Sequence, residues 1–257
     1  MWLSVGVYIV ITKYQQEIER MQKILLITGW AVGTQPLQAL KQALIQKGFE
    51  VELVNIFNGF DPDDFIKHVK LAEQFDVIMG WSLGGQLATK LVKHIHEQTG
   101  QLKALITLAS NPCFIANASW EIGMENSTFL SFKDAFEKDP LMTLKRFCYL
   151  VTQGRVNAKQ DWQKLQNSIN DDDLVLKSYG LDMLERFNNV DILKSYQGNQ
   201  LHVFAEGDGL VSHKIVDNYR KLGAKFLKVD SVVGSHGFPV FQSEALSDKI
   251  TQYLNRL

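Results

Sequence analysis

The stretch that most constrains the fold is residues 76–86, in which a short apolar run leads into Gly-Trp-Ser-Leu-Gly-Gly. The run before Gly80 has the length and character of a buried strand, and apolar residues after Gly85 recur at helical spacing. The passage from strand to helix through so few residues requires a very tight turn. In this setting Gly-x-Ser-x-Gly predicts a nucleophile elbow, a strained turn that exposes a serine hydroxyl at the carboxyl end of a sheet.

The glycines of this turn have a physical reason. A side chain at Gly80 or Gly84 would collide with the strand or the helix, and glycine avoids the collision. The first N–H groups of the helix, beginning with that of Leu83, would point to the same place as the Ser82 hydroxyl and can hold an oxyanion there. The alternative is an ordinary glycine-rich turn between a strand and a helix. Residues elsewhere in the chain decide between the two.

The composition is that of an ordinary globular protein of 257 residues, long enough for one α/β domain with an added segment. A net charge of −1 without a basic stripe argues against a nucleic-acid partner. The two cysteines, Cys113 and Cys148, are too few for a disulfide framework and fit a reducing compartment, so we expect a cytoplasmic protein. No His, Cys and Asp residues stand at the spacing of a metal site, and we expect no cofactor.

Residues 1–20 precede the first predicted strand. Residues 1–11 are apolar but lack the basic start and small-residue cleavage site of a secretion signal, and Lys13 ends the run well short of a membrane span. We interpret residues 1–20 as an N-terminal extension to the folded core, with Met21 as an alternative start. A membrane anchor is the competing interpretation of this segment; no membrane association is expected.

Buried strand patterns alternate with helical patterns from residue 23 onward. Strands are predicted at 23–28, 49–54, the run before Gly80, 102–109, 200–205 and 225–229, and helices at 36–47, 61–73, 83–98, from about 212, and at the end of the chain. This alternation predicts an α/β protein with a doubly wound, mostly parallel sheet, and a ligand site at the carboxyl ends of the strands.

Between residues 111 and 190 the alternation stops, and four helical patterns follow one another. They cover residues 128–137, 141–152, 158–169 and 172–187. We interpret residues 111–190 as a helical lid inserted between strands and lying over the sheet edge. The core then comprises residues 21–110 and 191–257.

Two further residues of the chain could form a catalytic site together with Ser82. A serine hydroxyl needs a base within hydrogen-bond reach and a group that orients the base. Asp208 follows a buried strand in a Gly-Asp-Gly turn, and His236 occupies a glycine-flanked loop after the last strand. Asp208 alone could instead cap the next helix, but the chain order Ser, Asp, His is that of α/β hydrolases. Together, Ser82, Asp208 and His236 predict a catalytic triad in an α/β-hydrolase fold.

The turn Gly29-Trp30 follows the first strand and has two interpretations. In a hydrolase of this type the N–H of Trp30 would join that of Leu83 as the second oxyanion donor. A simple turn with a packed indole explains the same residues equally well.

Four segments carry a resemblance to a known family: residues 80–85, 109–114, 180–184 and 208–211. They resemble the pimeloyl-acyl-carrier-protein methyl ester carboxylesterases (BioH) of biotin biosynthesis, over most of the chain from about Lys23 onward. The resemblance implies a four-helix lid. It also implies hydrolysis of the methyl ester of pimeloyl-acyl-carrier protein to pimeloyl-acyl-carrier protein and methanol.

The resemblance further implies which residues contact the substrate. These are Trp30, Ser82, Leu83, Phe147, Cys148, Tyr149, Leu150, Val151 and His236. It also implies docking of the acyl-carrier protein on basic residues of the lid, where Arg146 and Lys159 match the family. Met142 and Gln163 stand where the family has two other basic residues, and Lys133, Lys145 and Arg155 are candidates to replace them.

Three alternatives remain open from the sequence. A general short-chain carboxylesterase would share the chemistry without a carrier-protein partner. An acyltransferase would use another nucleophile in place of water. A hydrolase-fold protein that only binds ligands is the third, although binding alone does not require Ser, His and Asp together. Whichever of these functions the protein has, including the one that the resemblance implies, we expect it to be a monomer.

Overall fold

The computed structural model describes residues 21–154, 157–168 and 172–257. The interpretation of residues 1–20 and the candidate docking residue Arg155 lie outside the described residues. Within the described ranges, no helix is long and apolar enough to cross a membrane.

Six parallel strands form one sheet within the described residues. They are β1 (Lys23–Ile27), β2 (Glu50–Val54), β3 (Val77–Trp81), β4 (Ala104–Leu108), β5 (Gln200–Ala205) and β6 (Leu227–Val232). Their order is β2-β1-β3-β4-β5-β6. The direction of winding reverses between β1 and β3, and this crevice is where doubly wound sheets hold their ligands. The predicted fold class is therefore confirmed.

The helices occupy the segments between strands. They are α1 (Gln38–Gln46), α2 (Pro62–Ala72), α3 (Leu83–Thr99), α4 (Asn126–Lys138), α5 (Pro140–Thr152), α6 (Ala158–Gln166), α7 (Leu174–Arg186), α8 (Val190–Ser195), α9 (Ile215–Lys221), α10 (Phe238–Phe241) and α11 (Ser243–Leu254), with a 3-10 turn at Gln35–Leu37. Helix α3 packs against β1, β3 and β4, and α11 packs against α1. Helices α4 to α7 follow one another between β4 and β5, where the four helical patterns occur.

The central strands are covered on both faces, which explains their continuous apolar sequences. All five residues of β3 and all six of β5 are buried. Strand β6 differs, because it ends the sheet and its residues are only partly buried. Its predicted bounds, 225–229, are shifted from the observed Leu227–Val232, since a half-buried edge strand has a weaker apolar pattern. Helix α8 was not predicted, because six residues are too few to show a helical period.

His202 of β5 lies fully buried beside β4. Its Nδ1 is 2.7 Å from the Thr107 hydroxyl oxygen, and its Nε2 is 3.3 Å from Gln200 Oε1. A neutral ring satisfies both contacts when Nε2–H donates to the amide oxygen and Nδ1 accepts from the hydroxyl. Burial lowers the pKa of His202 from 6.5 to about 3, because the charged form loses its hydration.

The free energy of unfolding is therefore expected to fall as the pH is lowered from 6.5 towards 3. In this window the unfolded chain takes up a proton at His202 that the folded chain does not, so stability rises with pH, by up to about 1.4 kcal/mol per pH unit. Denaturant unfolding at a series of pH values should show this slope, and the variant His202→Gln should lack His202's share of it. An identical slope in both proteins would contradict the assignment.

Candidate active site

Ser82 stands between β3 and α3 with φ 55° and ψ −120°, at the N-cap of the helix. This left-handed backbone is unfavourable for a residue with a side chain and persists only where the surroundings impose it. Among the described residues, Ala31 and Ala109 also have positive φ, at 70° and 49°. They follow β1 and β4, the two neighbours of β3, so three of the four described non-glycine residues with positive φ follow adjacent strands at one edge of the sheet. The fourth is Asp173, at the N-cap of α7.

The glycines around Ser82 permit the close approach of strand and helix. A Cβ atom at Gly80 would lie 2.1 Å from the carbonyl oxygen of Gly84. One at Gly84 would lie 2.2 Å from the carbonyl oxygen of Thr28, at the end of β1. Both distances are far inside van der Waals contact, and backbone cannot yield as a flexible side chain would. The turn therefore has the tight geometry that the Gly-x-Ser-x-Gly pattern predicts.

The three residues of the predicted triad come together in a chain of hydrogen bonds. Nε2 of His236 lies 3.0 Å from Oγ of Ser82, and its Nδ1 lies 2.8 Å from Oδ2 of Asp208. The side chains of His236 and Asp208 are buried, and Ser82 is half-buried. The arrangement allows a proton to pass from the Ser82 hydroxyl to an imidazole whose other nitrogen faces a carboxylate.

The second oxygen of Asp208 explains how this side chain is held. Oδ1 accepts hydrogen bonds from the N–H groups of Leu210, at 2.8 Å, and Val211, at 2.9 Å. The carboxylate thus shapes the turn after β5 with one oxygen and faces His236 with the other. Helix α9 begins only at Ile215, so Asp208 is not its N-cap.

Trp81, the variable residue before the serine, also holds the site together, a role that its position in the pattern does not predict. Its indole Nε1–H donates to the backbone carbonyl of His236 over 3.0 Å, and the two rings lie 5.9 Å apart. Trp81 is buried, so this hydrogen bond fixes the backbone of the histidine loop against β3. The Gly-x-Ser-x-Gly pattern accepts any residue at this position, and the bond ends on a backbone carbonyl, so the sequence carried no signal of this contact.

Trp30 lies at the end of β1, directly beside the elbow. A Cβ atom at Gly29 would stand 3.4 Å from Cβ of Ser82, so the two turns touch. The indole of Trp30 is buried and donates to the carbonyl of Lys177 in α7 over 2.7 Å. The first N–H groups of α3, including that of Leu83, have no partner within the helix.

Aromatic rings of the helical segment surround the indole of Trp30. Phe132 and Phe136 of α4 lie at 5.7 and 5.6 Å, and Phe147 of α5 lies at 4.8 Å, all edge-on. Such pairs contribute about 0.5–1.5 kcal/mol each beyond the area they bury. This cluster seats α4 and α5 over the carboxyl edge of the sheet.

The five candidate substrate-contact residues of α5 point in different directions. Phe147 and Val151, one helical turn apart, face the site: Phe147 packs on Trp30, and the Val151 carbonyl accepts from Gly237 N–H over 2.9 Å. Cys148 is fully buried, and burial raises the pKa of its thiol to about 12, so it is a neutral core residue. Tyr149 and Leu150 line an outer groove instead.

This outer groove, a cavity of about 1100 Å³, lies between α4, α5 and α6. Its described lining does not include Ser82, but it includes Phe132, which packs on Trp30. Of the candidate docking residues, Arg146 lines the groove together with Met142 and Lys145.

The remaining candidate docking residues lie elsewhere on the helical segment. Lys159 and Gln163 are exposed on α6. Lys133 of α4 forms ion pairs with Asp182, at 2.6 Å, and Glu185, at 2.5 Å, both on α7. Because two carboxylates neutralise its charge, Lys133 is poorly suited to replace a docking cation.

The sequence of the chain is similar to those of several named proteins. No family model matches the chain. It is 30% identical over 211 residues to the biotin biosynthesis bifunctional protein BioHC of Teredinibacter turnerae, covering 73% of this chain but spanning only 36% of that protein. It is 28% identical over 215 residues to the pimeloyl-[acyl-carrier protein] methyl ester esterase of Citrobacter koseri, covering 79% of this chain and 82% of the relative.

Solved structures show the same fold. The esterase EaEST of Exiguobacterium antarcticum superposes with a TM-score of 0.77 over 91% of this chain and 92% of its own, at 15% identity. The chain therefore has the α/β-hydrolase fold and is similar over most of its length to the pimeloyl-[acyl-carrier protein] methyl ester esterases.

Proposed function

We propose that the protein is a serine carboxylesterase that hydrolyses the methyl ester of pimeloyl-acyl-carrier protein in biotin biosynthesis. The observation that carries the chemistry is the hydrogen-bonded chain from Ser82 through His236 to Asp208. The substrate is supported by the relatives named for this ester, which the chain matches over most of its length. The reaction yields pimeloyl-acyl-carrier protein and methanol.

In the first step, His236 Nε2 takes the hydroxyl proton as Ser82 Oγ attacks the ester carbonyl carbon. The carbonyl oxygen becomes an oxyanion, which the N–H groups of Leu83 and Trp30 stabilise. Asp208 holds the imidazole in the tautomer with the proton on Nδ1 and stabilises the imidazolium. The tetrahedral intermediate then collapses, and the imidazolium gives its proton to the leaving methoxide, which departs as methanol.

In the second step, water attacks the acyl-enzyme. His236 takes a proton from the water, and the same two N–H groups stabilise the second oxyanion. Collapse breaks the bond between Ser82 Oγ and the acyl carbon, and the imidazolium returns the proton to Oγ. The acid leaves and the enzyme is restored, with no cofactor in either step.

Residues 111–190 act as the lid in this proposal. The apolar rings around Trp30 suit the methylene chain of the pimeloyl group, with Phe147 and Val151 facing the reacting carbonyl. Arg146 in the outer groove and the exposed Lys159 would contact the acidic carrier protein. Met142 and Gln163 contribute no charge, so fewer basic residues take part than in the family pattern. The enzyme acts as a monomer in the cytoplasm, where both cysteines stay reduced.

We expect the methyl ester carried by acyl-carrier protein to be turned over with a much higher kcat/KM than the same ester without the carrier. Arg146→Glu should raise KM for the carrier-bound ester by about tenfold, because it places an acidic side chain against an acidic partner. The carrier-free ester should be unaffected. Lys70→Glu, an exposed charge reversal on α2, is the matched control. Equal turnover with and without carrier would favour the general carboxylesterase.

A further inference from the structure

The end of α5 touches the loop that carries His236. The N–H of Gly237, the next residue, donates to the carbonyl of Val151 over 2.9 Å. The side chain of Val151 reaches the same place, since a Cβ atom at Gly237 would lie 3.1 Å from Val151 Cγ1. One residue of α5 thus holds the histidine loop through both backbone and side chain.

Gly154, two residues beyond α5, touches the loop that carries Asp208. Its φ is +91°, and a Cβ atom there would lie 2.1 Å from the carbonyl oxygen of Gly207. Gly207 immediately precedes Asp208, and its own N–H donates to the carbonyl of Gly234, two residues before His236, over 2.9 Å. The end of α5 and the two triad loops are therefore stacked backbone against backbone.

Helix α5 is itself fixed at the other side of the site. Phe147, one turn before Val151, packs edge-on against Trp30 at 4.8 Å. The same helix therefore contacts the loop after β1 through a side chain, and the Asp208 and His236 loops through its end. Hydrogen-bond geometry in a triad is sensitive to shifts well below 1 Å, so an element in contact with both loops can set that geometry.

We propose that residues 151–154 position the triad, with Gly154 as the residue that lets α5 lie against the Asp208 loop. This inference rests on the proposed serine-esterase function. A side chain at position 154 pushes the Gly207 peptide away, moves Asp208 relative to His236, and weakens the contact that orients the imidazole. Substrate contacts at Trp30 and Phe147 are left in place, so the effect falls on kcat rather than on KM.

The test compares Gly154→Ala with Gly48→Ala in the full chain. Gly48 has a nearly identical φ of +92°, but a Cβ atom there meets nothing within 4 Å, so it reports backbone strain alone. It precedes β2, at the opposite end of the strands from Ser82. With p-nitrophenyl acetate we expect Gly154→Ala to lower kcat by about 10- to 100-fold with KM nearly unchanged, and Gly48→Ala to keep the wild-type kcat. The low-field proton resonance of His236 Nδ1–H should shift only in Gly154→Ala.

Each outcome of this comparison either supports or overturns the proposal that residues 151–154 position the triad. Equal kcat losses in the two variants, an unchanged kcat in Gly154→Ala, or a change confined to KM would overturn the proposal. If Gly154→Ala does not fold, Val151→Ala takes its place, since it removes the packing on Gly237 without a clash. A shift of the His236 Nδ1–H resonance in the substrate-free Val151→Ala protein then supports the proposal, because a lost substrate contact cannot cause it. An unchanged resonance overturns the proposal. If the Ser82→Ala variant keeps the activity of the wild-type protein, the serine-esterase function itself is refuted.

Discussion

Replacing Ser82 with alanine is expected to lower kcat for p-nitrophenyl acetate by about 10⁶-fold, since the nucleophile and the general base act as one unit. The fold should survive, because the Ser82 side chain makes a hydrogen bond only to His236 within the described residues. Alanine also has a Cβ atom and meets the same backbone strain at φ 55°. Steady-state kinetics measure the loss, and thermal unfolding checks the fold.

Ser195→Ala is the matched control for this variant. Ser195 is an exposed serine at the end of α8, remote from the triad, whose hydroxyl donates within its own helix. It should keep the wild-type rate. Substantial hydrolysis by Ser82→Ala would show that another group is the nucleophile.

Replacing Asp208 with asparagine is expected to lower kcat by about 10⁴-fold with little change in stability. The amide oxygen can still accept from Leu210 and Val211, so the turn is kept. The amide nitrogen then faces His236 Nδ1 and donates to it, which places the ring proton on Nε2. An imidazole in that tautomer cannot accept the Ser82 proton.

The control for the carboxylate is Asp217→Asn, at an exposed ion pair with Arg220 on α9. It removes the same charge from the surface and should leave kcat unchanged. A loss smaller than about tenfold in Asp208→Asn would mean that the carboxylate does not set the tautomer.

The elbow and the triad were predictable from the sequence because their physical requirements leave marks on residue types. A turn with no room for Cβ atoms demands Gly80 and Gly84, and the sequence shows both glycines. The alternation of strand and helix patterns places Ser82, Asp208 and His236 after three different parallel strands. The carboxyl ends of these strands lie at the same edge of the sheet. Geometry and order together were enough to bring the three residues to one place.

Other parts of the site depend on contacts between distant segments that leave no such mark. The hydrogen bond from Trp81 to His236 ends on a backbone carbonyl, which every residue type has. The contact between Gly154 and Gly207 is also between backbones, and an isolated glycine after a helix is ordinary. Lys133 looked like a free surface cation until α7 placed Asp182 and Glu185 beside it. Sequence periodicity predicts where the helices and strands lie in the chain, but it does not predict which helices pack against each other.

The most direct test of a serine nucleophile at this site is covalent labelling with a fluorophosphonate, followed by peptide mass spectrometry. We expect one adduct, on the peptide that contains Ser82, and a loss of activity in step with labelling. Asp208→Asn should label far more slowly, because its Ser82 is not activated. No adduct on the active wild-type protein, or an adduct confined to another residue, would contradict the assignment of Ser82.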